Sequence, residues 1–109
     1  MTTDKNGPGK IWARGNKFFS ALLQLSVDDR KDFLLYLQSP FFGRSKVNEA
    51  LTTEFIAQMK KGNERPDKEA AWKAILPGKP YDDQVFRKHC SNAFLQLQLF
   101  LLHHDIRNN

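Results

Sequence analysis

The chain reads as all-α, a small bundle of about five helices closed by a long C-terminal one. Three observations predict this. Apolar residues recur at three- and four-residue spacing along most of the sequence, and no stretch keeps the strict alternation of a half-buried strand. Asn, Ser or Asp precedes each periodic stretch, and Pro or Gly follows several of them, the residues that open and close helices. The last stretch, 82–106, is long and apolar on two sides.

At 109 residues the chain fits one domain. Gly7, Pro8, Gly9 and Gly15 among polar groups mark residues 1–15 as a flexible basic segment, and 16–109 as a single helical domain. Ile11-Trp12 interrupts the polar segment. The pair either tucks against the body of the domain or inserts into a partner.

The first helix begins after Asn16, with Phe18, Phe19, Leu22, Leu23 and Leu25 at helical spacing. Ser26 caps the second. Asp28, Asp29 and Asp32 crowd its opening turns, where the positive end of the helix dipole favours them. Phe33 to Leu37 alone could be a strand, but the capping signal decides for helix, and Pro40 pushes Ser39 out of helical geometry. Phe41-Phe42-Gly43 lies in a loop, and at least one of its rings should plug a space between helices.

Ser45 caps the third helix, with a stripe of Val47, Leu51 and Phe55 flanked by Ile56 and Met59, and Lys60-Lys61-Gly62 closes it. Asp67 or a neighbour opens a short fourth helix carrying Ala71, Trp72, Ile75 and Leu76. Residues 77–81 form a stiffened connector into Asp82-Asp83, which cap the last helix. On that helix Phe86, Cys90, Ala93, Phe94, Leu97, Phe100 and Leu101 share one side. Leu95, Leu99, Leu102 and Ile106 share the opposite side, with Gln96, Gln98, His103 and Asp105 in the seams.

Leu25-Ser26, Phe33, Leu37, Ser39-Pro40-Phe41-Phe42 and residues 76–83, followed by a Phe/Leu-rich helix, resemble the N-terminal helical region of a group of uncharacterised proteins from Bacteroidetes-type bacteria. Most of residues 20–102 take part. That group carries Asn after the two aromatics where this chain has Gly43. The resemblance implies a larger helical protein in most members, and no activity.

The net charge of +5 is spread along the chain, with a surplus of three in residues 1–17, two in 41–62 and none in 81–109. Such a pattern attracts nucleic acid or anionic surfaces weakly and specifies neither. The single Cys cannot form an internal disulfide, no apolar run suits a signal peptide or a membrane span, and a cytoplasmic location is the default.

Metal or nucleophile chemistry has only His89, Cys90, His103, His104 and Asp105 to draw on. Cys90 and His103 stand roughly 20 Å apart along one helix, too far to share an ion. His103 and His104 point about 100° apart. His104 therefore reads as a core-edge imidazole and His103 as solvated. The carboxylate pairs sit at helix starts, where capping and dipole compensation account for them. No catalytic residue, metal or cofactor is expected.

The function expected is a non-enzymatic interaction or oligomerisation module. Its candidate surface is Leu95, Leu99, Leu102 and Ile106, with Ile11 and Trp12 as accessory contacts. The partner would be another protein, a second copy, or the remainder of a longer helical chain. Equally, the first helix and Ile11-Trp12 could cover the stripe from within. The alternative is nucleic-acid binding of helix-turn-helix type, through the basic N-terminal segment and Arg44, Lys46, Asn48, Thr52, Lys60 and Lys61. Against it, the turn 39–44 is longer than that motif uses and carries two aromatics.

Overall fold

The structure, a computed structural model, describes residues 16–39 and 45–108, with side chains through 104. Five helices follow in order: α1 (Lys17–Gln24), α2 (Val27–Gln38), α3 (Lys46–Lys60), α4 (Lys68–Ile75) and α5 (Asp83–Asn108). No strand occurs among the described residues. Ile11, Trp12, Phe41, Phe42, Gly43 and Arg44 lie outside them, as does the side chain of Ile106.

Each helix starts where its capping residue predicts. The side chains of Asn16, Ser26, Ser45, Asp67 and Asp82 accept from the backbone N–H groups of Phe19, Asp29, Asn48, Ala70 and Val85, at 2.9–3.1 Å. Each bond satisfies a donor that the first helical turn leaves without an internal acceptor. The C-terminal ends are closed by different means. Arg30 donates from Nε to the Leu22 carbonyl at 2.8 Å and from its guanidinium tip to the Leu23 carbonyl at 3.1 Å, closing α1 with a side chain of α2. α2 stops at Ser39, whose extended backbone (ψ 133°) is what a following proline imposes. α3 ends in a Schellman arrangement: Gly62 takes φ 95°, its N–H donates to Met59 O, and Asn63 N–H donates to Gln58 O.

α5 is the post of the bundle and packs on α1, α2 and α3, while α4 is held mainly against α3. Its inward face is the one expected: Phe86, Cys90, Ala93, Leu97 and Phe100 are buried, and Phe94 and Leu101 are half-buried. The core is aromatic and continuous. Phe100 meets Phe33 at 5.4 Å, Phe33 meets Phe18 at 6.3 Å edge-on, and Phe18 meets Phe55 at 5.9 Å. Phe55 then meets Phe86 at 6.5 Å, Phe86 meets Tyr81 at 5.9 Å, and Tyr81 meets Trp72 at 5.3 Å. One file of rings thus joins all five helices and the connector before α5. Edge-to-face and tilted contacts of this kind add to the burial they accompany, by about 0.5–1.5 kcal/mol a pair.

α3 buries a wider face than its hydrophobic pattern predicts. Asn48 and Thr52 are buried beside Leu51 and Phe55, whereas Val47 and Ile56 are only half-buried. The reason is that α3 is covered on several sides, by α1, α2, α4 and α5. A stripe wide enough for that includes positions 48 and 52 whatever residues occupy them. Asn48 Oδ1 and Thr52 Oγ1 find no hydrogen-bond partner there. Gln58, also buried, is fully used: Oε1 accepts from Asp67 N–H at 2.8 Å, while Nε2 donates to Asp67 O at 3.1 Å and to Glu54 at 3.0 Å. Its amide pairs with the backbone at the start of α4 as another peptide group would. Trp72 Nε1–H donates to Lys79 O at 2.7 Å and fixes the connector, whose turn uses Gly78 at φ 85°.

Candidate interaction surface

α5 is 26 residues long, about 39 Å at 1.5 Å per residue. Its first half presents Arg87, Lys88, Ser91 and Asn92 to solvent, an ordinary polar outer face. From Leu95 onward the outer face turns apolar. Leu95 is 53% exposed, Leu99 39% and Leu102 57%. The described residues of the chain therefore leave this stripe open, and Ile106 continues its register by sequence.

The steps along the stripe are four, three and four residues, the a/d spacing with which helices pair. Gln96 and Gln98 flank it on either side, with His103 further along; Gln98 and His103 are exposed and Gln96 is half-buried. His103 Nδ1 lies 3.0 Å from the Leu99 carbonyl one turn back, which keeps the ring against its own helix. The two amides beside Leu95 and Leu99 repel neither an acidic nor a basic neighbour.

The alternative nucleic-acid face does not hold together as expected. Asn48 and Thr52 are inside the core, because α3 turns that side toward its neighbours, so neither can reach a base. Lys46 and Lys60 are exposed on the same helix, and Lys61 is exposed just past its end. Arg44 lies outside the described residues.

His104 sits where expected, at the core edge, with its ring 5.4 Å from that of Phe100. Its surroundings hold something that sequence spacing could not show. Nε2 lies 3.6 Å from Asp29 Oδ1 and 3.9 Å from Asp32 Oδ2 across the gap to α2. Only the packing of α5 on α2 joins residues so far apart in the chain.

Cys90 lines a cavity of about 210 Å³ together with Asn16, Lys17, Phe18, Arg87, Ser91 and Phe94. Burial pushes its thiol up to about 11, against the opposing effect of the Asn16 amide, which donates to Sγ at 3.6 Å. The thiol is therefore protonated at neutral pH and packs as a small apolar group. Arg87, at the rim, is drawn to Asp83 one turn earlier at 3.0 Å.

No protein-family model matches the chain, and comparison with curated proteins and with solved structures returns no match. Among the described residues, no helix is long and apolar enough to cross a membrane.

Proposed function

We propose that this chain is a helical docking module whose occupant is a second copy of itself, seated on the outer stripe of α5. The supporting observation is the run Leu95, Leu99 and Leu102, open among the described residues and set at coiled-coil spacing on a helix whose other side packs into the core. Gln96 and Gln98 place no charge beside Leu95 and Leu99, so two copies can meet there without like-charge opposition. The seam is about two heptads long, so the pairing is modest in area and of micromolar rather than nanomolar strength.

Sedimentation equilibrium on the purified chain tests this reading. The mass average should rise with concentration toward twice the chain mass, and Leu99→Glu should hold it at the monomer with unchanged helicity. A chain that stays monomeric at every concentration contradicts the reading. If Leu99→Glu also unfolds that monomer, the stripe is covered by the chain's own residues instead.

A further inference from the structure

We propose that Asp29, Asp32 and His104 form a binding site for a divalent cation of the zinc class, with water completing the coordination. The three side chains come from two helices: both aspartates from the opening turns of α2, three residues apart on one face, and the imidazole from the last turns of α5. One ligand atom from each lies within 4.8 Å of the other two. The His104 Nε2 separations of 3.6 and 3.9 Å are ion-pair contacts longer than hydrogen bonds, so the three groups face one another without closing to hydrogen-bond distance. Small side-chain adjustments would bring three atoms so spaced to the usual zinc distances of about 2.0–2.2 Å around one ion.

Charge and ligand type agree with that geometry. Two carboxylates and a neutral imidazole offer two negative charges to a doubly positive ion, whereas a protonated imidazole leaves one of them unmatched. Imidazole with carboxylate suits zinc, manganese and iron, and lacks the thiolates that select copper(I). Of the two cationic side chains between the aspartates, Arg30 is directed to the Leu22 and Leu23 carbonyls at the end of α1, and Lys31 is exposed. His104 is only one-fifth exposed and its ring rests against Phe100, so the ligand that must cross between helices is the one most firmly held. A bound ion would pin the C-terminal end of α5 to the start of α2.

The test uses the full chain, stripped of metal with a chelator and titrated with Zn²⁺ alone by calorimetry at about pH 7.5, where free imidazole is mostly neutral. One equivalent should bind with a dissociation constant in the range of about 1–100 μM. The His104 ring resonances should shift and the thermal midpoint should rise with Zn²⁺. Asp32→Asn and His104→Asn should each weaken binding by about tenfold or more, whereas His89→Asn and His103→Asn should leave it unchanged. Circular dichroism of the metal-free variants, matching the parent, establishes that they fold. Binding that does not saturate below about 1 mM overturns the proposal. So does saturable binding that survives His104→Asn, since it belongs to another histidine.

Discussion

Tyr81 shows how much one side chain can organise at the edge of this core. Its ring lies between Trp72 and Phe86, and its hydroxyl donates to Asp83 Oδ1 at 2.8 Å, at the first turn of α5. Burial first, and then the neighbouring carboxylate, raise the phenol above its ordinary value. The same hydrogen bond, with lesser help from Lys68 and Arg87, holds the Asp83 carboxyl below the usual carboxylate range. A group whose pKa is depressed by folding stabilises the folded state above its unfolded value and loses that contribution as pH falls through the folded one. Tyr81→Phe should therefore lower stability at neutral pH by less than about 1 kcal/mol, since Asp83 is half exposed and solvent screens it. The deficit should shrink as pH falls below about 4, where Asp83 is neutral in the unfolded chain. Thermal midpoints of both proteins across that range check it; a deficit independent of pH would place the role of Tyr81 in packing alone.

At the scale of the element, helix starts and stops are written locally, and so they could be read from the sequence. A Ser or Asp three residues before an N–H it can accept from is a property of four consecutive residues, and the five caps fall as expected for that reason. Which face of a helix turns inward depends on how many neighbours cover it, and that is not local. α3 is the instructive case. Its expected stripe is Val47, Leu51 and Phe55 flanked by Ile56 and Met59, but its neighbours bury Asn48, Thr52 and Gln58 as well. Of these three, Gln58 is the one the fold depends on, because it pairs with both backbone groups of Asp67 and so seats α4. Gln58→Ala should cost about 1–3 kcal/mol by leaving the Asp67 N–H without its acceptor, while the Asp67 carbonyl keeps its bond from Ala71 N–H at 3.1 Å. Chemical denaturation measures the loss, and a change within experimental error would show that water replaces the amide without penalty.

Across the whole molecule, the long-range features are those the sequence could not disclose. The two-sided character of α5 was legible, because both stripes lie within one periodic stretch. That the outer one stays open among the described residues was not, since it depends on where every other helix packs. His104 meeting Asp29 and Asp32 was likewise hidden, as no spacing rule relates residues that far apart along the chain. What emerges is a bundle whose central post faces the core on one side and, among the described residues, leaves Leu95, Leu99 and Leu102 uncovered on the other. The most direct test of that claim is a dilution series of the ¹⁵N-labelled chain followed by amide resonances. Concentration-dependent shifts should gather at residues 95–106 of α5 and leave α3 and α4 unmoved. Spectra that do not change with concentration, or shifts that gather on α3, would contradict it.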